Sequence, residues 1–354
     1  MDHRSSESPG KEIMPLIDYG ISRRRLTGPE RESSARPVTR DLLHPWKKTF
    51  VLAVALAITA CSHEYAGDGE VAKAVRRYDV VQALAANGKV AVAGTQNGAL
   101  LVSGDEGRSW SRQMLGPVSL IDLAVCPDGG FVGIDFNHKV WSGGADGGGW
   151  QASALEKSQV PLVVDCDSLG RWHVAGSRAK IARSTDRGAS WEVTDLDEDA
   201  QITAVQMIDE RHGVALGEFG LFAVTEDGGA TWQPGPRLPG EFYPYAALFT
   251  SREEGYASGL AGTVLRTRDG GVSWQQIGND STAALYRLFM HDGRPYGVGA
   301  GGVVARLVGD GFAGLPYPDA VPVFLGAGAS LPGRAAILVG GPGGLVRPVG
   351  THVN

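Results

Sequence analysis

Five copies of one short pattern, spaced about forty residues apart, constrain this chain more than any other feature. Four copies are Ser103-x-Asp105-x-Gly107-x-Ser109-Trp110, Ser184-x-Asp186-x-Gly188-x-Ser190-Trp191, Thr225-x-Asp227-x-Gly229-x-Thr231-Trp232 and Thr267-x-Asp269-x-Gly271-x-Ser273-Trp274. A fifth, Ala145-Asp146-Gly147-Gly148-Gly149-Trp150, reads as the same pattern one residue short. Successive tryptophans are 40, 41, 41 and 42 residues apart. A spacing held over five copies marks a repeated supersecondary unit whose apolar faces are buried against neighbouring units.

Each copy reads as a hairpin turn. The Asp carboxylate accepts bonds from turn amides, the Gly supplies a positive φ, and the Trp covers the hairpin from the next strand. Upstream, the same order of elements recurs. In the fourth unit, 202–208 alternates as a strand, 209–213 is a turn, and 214–217 and 220–224 are two more strands. Trp232-Gln233 opens a fourth strand. Four strands per forty residues, with 51 glycines and eight tryptophans in 354 residues, describe an all-β propeller blade. Weaker units continue through 285–306, with a decayed box near Asp310, and through 321–347. Residues 79–350 therefore predict a seven-bladed propeller of four-stranded blades whose last blade lacks its outer strand. Val71 to Arg77 is the expected donor of that strand, which closes the ring and removes two exposed edges. Residues 351–354 are a tail.

The pattern is the Asp-box, which occurs in sialidases and other glycoside hydrolases, in sorting-receptor ectodomains and in the photosystem II stability/assembly factor-like family. The run from Val92 through Gly94, Gly98 and Asp105 to Trp110 resembles the first blade of that last family. The run from Glu254 through Tyr256, Gly259, Gly262, Arg266 and Asp269 to Trp274 is similar to its blade consensus. The resemblance covers about residues 70–350. It implies a non-catalytic propeller outside the cytoplasm that helps assemble or stabilise a membrane-protein complex. Phototrophic members are associated with photosystem II; in a non-phototroph the expected client is export machinery. An arginine patch is a feature of the family. Alignment on the boxes puts Arg183, Arg266, Arg306 and Arg347 at one position, the end of the third strand, as the expected partner-binding residues. Val102, Trp141 and Val224 stand there in the other units. Guanidinium forks suit carboxylate recognition; solvated surface arginines, or partners of nearby box carboxylates, are the alternative.

Residues 1–60 read as an N-terminal extension and export signal. Trp46-Lys47-Lys48 precedes the apolar run Thr49 to Ala60, and Ile58-Thr59-Ala60-Cys61 resembles the bacterial lipobox. A twelve-residue run is too short for a membrane-spanning helix. Cys61 is the expected lipidation site and 61–78 a lipidated tether leading into the closing strand. Ser62 favours an outer-membrane lipoprotein facing the periplasm. The expected partners are thus the membrane, through the lipid anchor, and the extracytoplasmic part of a membrane-protein complex, met by a monomer. A net charge of −6 argues against nucleic acid held through bulk positive charge. Cys126 and Cys166 fall at equivalent positions of neighbouring units and are expected as two buried thiols, too far apart to bond. The eight histidines show no ligand spacing, so no metal or cofactor is expected.

A carbohydrate-active or glycan-binding propeller is the rival reading. A glycosidase needs two carboxylates facing one cleft, and the best pair is Asp122 with Asp165, both on inner strands, where structural roles compete. No Arg-Ile-Pro of the sialidase type, no HExxH, no GxSxG and no phosphate loop occurs. The linker Pro234 to Tyr245, with three aromatics and four prolines, is either a partner-binding ledge or a stiff connector packed over a blade edge.

Overall fold

The computed structural model describes residues 73–155, 159–318 and 323–351. The leader and Cys61 lie outside these residues. The strands fall into seven successive antiparallel meanders, here called blades. In the fourth, Ile202–Met207, Gly213–Gly217, Phe222–Thr225 and Gln233–Pro234 pair in order, close to the pattern read from the residues. The innermost strands are Val81–Ala86, Leu120–Val125, Pro161–Cys166, Ile202–Met207, Pro244–Phe249, Leu285–His291 and Ala327–Ser330. Each lies beside the next, and the seventh lies beside the first. The ring is therefore closed.

Among the described residues the buried apolar side chains collect between blades. Seven buried clusters occur, one at each junction. Blades one and two share Val92, Leu100, Leu120 and Phe131, for example, while blades seven and one share Leu338, Val346, Val81 and Leu101. This layering explains why second strands such as Ala91–Thr95 and Gly213–Gly217 are buried along their whole length. A strand covered on both faces has no polar side to alternate with. The first strands of blades one to six each carry a bulge at their second residue. The bulge re-aims the residue after it, Asp122 in blade two and Arg287 in blade six.

Blades five and six are further joined where Gly278–Asn279 pairs in parallel with Gly311–Phe312. The seventh blade has three strands among the described residues, Ala327–Ser330, Ala336–Gly340 and Val346–Gly350. The expected closing strand is not formed: the described part of it, 73–77, carries no strand. A turn replaces it. The Asp79 carboxylate takes the Arg76 amide at 2.8 Å and a salt bridge from Arg112 of blade one at 2.8 Å. The Asp79 carbonyl takes the Gly344 amide of blade seven at 2.8 Å, and Val75 packs into the junction core. The segment staples the last blade to the first through side chains and a turn rather than through a ladder.

Candidate functional site

The four full boxes share one hydrogen-bond pattern. In the third full copy, Thr225 Oγ1 donates to Asp227 at 2.9 Å and accepts the Gly229 amide at 2.9 Å. Asp227 also accepts the Thr231 amide at 2.9 Å and its hydroxyl at 2.6 Å. The copies at Asp105, Asp186 and Asp269 repeat this. The side-chain and backbone bonds from Ser109, Ser190 and Thr231 hold Asp105, Asp186 and Asp227 at about 2. Such carboxylates are fully committed to the turn. Sequence reading missed the hub, the nearly inaccessible first-position hydroxyl of Ser103, Ser184, Thr225 and Thr267. Gly229 combines a φ of 79° with a close approach to the His173 ring of the preceding blade, where a Cβ would stand 2.5 Å from it. Trp110, Trp150, Trp191, Trp232 and Trp274 each pack into a junction core.

The fifth copy differs from expectation. Gly143 to Trp150 is as long as Ser103 to Trp110, so no residue is missing; Asp146 stands one place later instead. It accepts only the Gly148 amide, at 3.0 Å, and no hydroxyl. The shift also moves the blade-two position aligned with the arginines. Ser142 pairs with Val132 as Arg183 pairs with His173, so Ser142 rather than Trp141 stands there. Trp141 is buried, its Nε1 donating to Asp135 at 2.8 Å.

All four arginines lie on third strands and are half-buried, but only Arg183, Arg266 and Arg306 share the expected register; Pro348 pairs with Leu338 as Arg266 pairs with Tyr256, so Arg347 stands one residue early and on the other face of its strand. Their surroundings differ. Arg183 is paired with Glu192 at 2.8 Å. Arg266 is held by Glu254 and by Asp310 of the next blade at 2.7 Å, and lies 5.6 Å over the Tyr256 ring. Arg347 lies 5.6 Å over the Tyr317 ring. Arg306 makes no ion pair or hydrogen bond among the described residues. It lines a cavity of about 540 Å³ between blades five and six with Thr250, Glu254, Tyr256 and Arg294. Arg294 is exposed and likewise without a charged partner among the described residues. Sequence alignment found Arg306 but not Arg294, whose turn carries no repeat signal.

The inner-strand carboxylates stitch blades together. Asp122 accepts the Val164 amide of blade three at 2.9 Å, and Asp165 accepts the Met207 amide of blade four at 2.7 Å. Gln206 does the same to both backbone groups of Phe249. Burial pushes both carboxyls up. Asp122 also meets Arg287, which reaches across the ring from blade six at 3.0 Å. Each carboxyl thus satisfies an inner-edge amide of the neighbouring blade. The linker splits: Phe242 enters the blade four–five core, while Tyr243 and Tyr245 stack edge-on, the latter also against Tyr286. Burial and the Glu218 carboxylate push the Tyr243 phenol up.

Cys126 and Cys166 form a disulfide with a Cα–Cα distance of 5.2 Å, which corrects the expectation of separate thiols. The expectation failed because blades converge toward the ring axis. Both cysteines lie at the ends of innermost strands, where neighbouring blades are nearest.

Comparison with known proteins gives a family match over part of the chain and a fold match over most of it. A family model described as photosynthesis system II assembly factor YCF48 matches residues 186–283, which hold two full boxes and all but the first two residues of a third. Among solved structures, YCF48 from Cyanidioschyzon merolae superposes with a TM-score of 0.63 at 13% identity, over 78% of this chain and 96% of that one. A structure of YCF48 bound to D1 peptide gives 0.63 at 14% identity, over 78% and 95%. No curated protein sequence matches the chain. The boxes, the blade order and the closed ring make this chain an Asp-box β-propeller, similar in fold to the solved YCF48 structures and similar in sequence over residues 186–283 to the photosystem II assembly factor model.

Proposed function

We propose that the chain is a non-catalytic, lipid-anchored extracytoplasmic assembly or accessory factor that docks on a membrane-protein complex. The observation that carries the reading is the Arg306–Arg294 cavity. Two guanidinium groups without ionic partners among the described residues line a cleft of about 540 Å³ on the face that also carries the box turns. Guanidinium forks left open beside a cleft suit the carboxylates of an extended peptide. The D1 peptide held by the solved YCF48 is consistent with peptide docking on this kind of ring. The client is a photosystem II-like complex or, in a non-phototroph, an exporter. The disulfide supports export, because such bonds persist in oxidising compartments. Anchoring through Cys61 to the outer membrane, and a monomeric ring, complete the reading.

The test is crosslinked capture of clients by the tagged, lipidated chain beside Arg294→Glu/Arg306→Glu. Arg183 and Arg266 already hold structural ion pairs, so reversing them mixes folding with docking. One membrane complex recovered with wild type and lost with the double variant supports the reading. Undiminished recovery with the variant sinks the cavity as the docking site. A glycan-binding reading has one observation of its own, Tyr243 facing Glu218 beside Tyr245 and Tyr286. Saturable binding on a glycan panel, lost in Tyr245→Ala, would favour it.

A further inference from the structure

One face of the ring is defined by the turns joining second to third strands, which lie against the entries of first strands. The Gln96 amide donates to the Val80 carbonyl, Ser177 to Val160, and Glu218 to Gln201. This face collects exposed apolar side chains: Tyr78 at 57%, Phe136 at 48%, Phe219 at 56%, Leu260 at 53% and Phe324 at 47%. They come from blades one, two, four, five and seven, so they encircle the face rather than cluster in one cleft. Isolated exposed apolar residues need no explanation, but a ring of aromatics on one face marks a contact surface.

Phe219 strengthens the point. Its φ is 58°, in the left-handed region. A bulky residue there is strained by about 1 kcal/mol or more. The equivalent turns of blades three, five and six place Arg178 at 60°, Ala261 at 54° and Gly301 at 66°, so the left-handed position is common to these turns and of the three only blade six meets it with glycine. Packing does not keep Phe219, because its side chain is in solvent.

We infer that this face lies on the lipid bilayer, with Tyr78, Phe136, Phe219, Leu260 and Phe324 seated at the headgroup level. Aromatic rings with one wet edge favour that depth. The exposed cations Arg77, Lys139 and Arg178 stand on the same face with more acids, Asp195, Asp197, Asp199, Glu218, Glu241 and Asp280, so the apolar ring rather than charge would seat it. The chain enters the ring on this face too. Gln96 of the first such turn donates to the Tyr78 carbonyl at 3.0 Å. Cys61 precedes Tyr78 by 17 residues, so a lipid anchor there would tether the ring through the side on which the chain enters it. That tether argument rests on the lipid-anchor reading; the ring of apolar residues does not. The arginine cavity then opens on the opposite face, away from the lipid.

The test separates the two. Full-length Cys61→Ser, which cannot be lipidated, is floated with vesicles of phosphatidylethanolamine and phosphatidylglycerol. The expected result is co-flotation that falls about tenfold or more in Phe136→Ser/Phe219→Gly/Phe324→Ser. Phe219→Gly alone is expected to weaken flotation without lowering the melting temperature, since Gly suits that φ. Cys61→Ser remaining at the bottom of the gradient, or equal flotation of the triple variant, overturns the proposal. Loss of client capture without any vesicle binding overturns it as well, and assigns the face to a protein. A wild-type chain that takes up no labelled lipid while Cys61→Ser still floats removes the anchor and leaves the face standing.

Discussion

The Cys126–Cys166 bond offers the sharpest quantitative test of how this ring is held together. Noncovalent packing closes every junction, and among the described residues only the junction between blades two and three is also crosslinked. The bond spans a sequence separation of 40 residues. Closing a loop of that length removes denatured-chain entropy equivalent to about 4 kcal/mol at 25 °C. Unfolding entropy of roughly 2 cal/mol/K per residue, over a ring of this size, converts that loss into a melting shift of about 7 °C. The expected result for Cys126→Ala/Cys166→Ala is therefore a drop of about that size by calorimetry. Reduced wild type should coincide with the variant, because the two sulfurs contribute little else: Cys166 is one member of a cluster that keeps Ile121, Val132, Val164 and Trp172. A shift below about 1 °C, or an unreduced wild type that reacts fully with a thiol reagent, would refute both the bond and the convergence argument behind it. The same protein recovered from its native compartment should carry the bond formed, which checks the export reading independently.

Other outcomes follow from the same geometry. Thr225→Val should cost about 1–3 kcal/mol in urea unfolding, because the Gly229 amide loses its buried acceptor. Burial opposes ionisation of Asp167, but the His173 and Arg171 hydrogen bonds win and hold it at about 2. Its contribution, about 2 kcal/mol, is present above pH 4 and lost as pH falls toward 2, so Asp167→Asn should flatten that acid limb of the stability curve. Asp165 has the opposite sign: burial raises it, so the fold binds its proton more tightly than the unfolded chain does. Wild-type stability relative to Asp165→Asn should accordingly rise as pH falls from 7 toward 4, as read by urea melts across that range.

What the sequence disclosed was whatever repeats. The boxes, the strand order and the register of Arg183, Arg266 and Arg306 were legible because each position recurs at a fixed place in the repeat, whereas blade seven has no box to align on and Arg347 was placed one residue off. Features that occur once were not. Arg287 meets Asp122 across 165 residues of chain, and no periodicity announces a contact between blades two and six. Arg294 sits in a turn whose composition is ordinary. The closing strand failed for a related reason. Val71 to Arg77 was assigned the missing strand for its place just before the first blade, yet Asp79 finds the Arg76 amide three residues back and closes a turn first. Asp146 was misplaced because glycine fills the first and last polar positions of its box, so the loop length had to be guessed from an aspartate that had moved.

The two faces differ in what holds their residues in place, and this difference assigns them. On the box face nearly every polar group is tied down. Asp105, Asp186, Asp227 and Asp269 are capped by their own turns, and Arg183 and Arg266 are paired. Against that background Arg306 and Arg294 stand out for lacking any partner among the described residues. On the opposite face exposed aromatics collect, Tyr78, Phe136, Phe219 and Phe324, where the box face shows the aliphatic Leu169, Val272 and Val308. Phe219 holds an exposed ring at a left-handed position that Arg178, Ala261 and Gly301 fill in the equivalent turns. Folding alone selects for neither feature, since charge without a counter-charge and strain without burial both cost stability. A rigid ring can carry these costs because its stability is spread over seven junction cores, none of which includes Arg294, Arg306, Phe136 or Phe219. One face is thereby free to meet lipid and the other to meet a peptide, and each can be mutated without reaching the cores that hold the blades together.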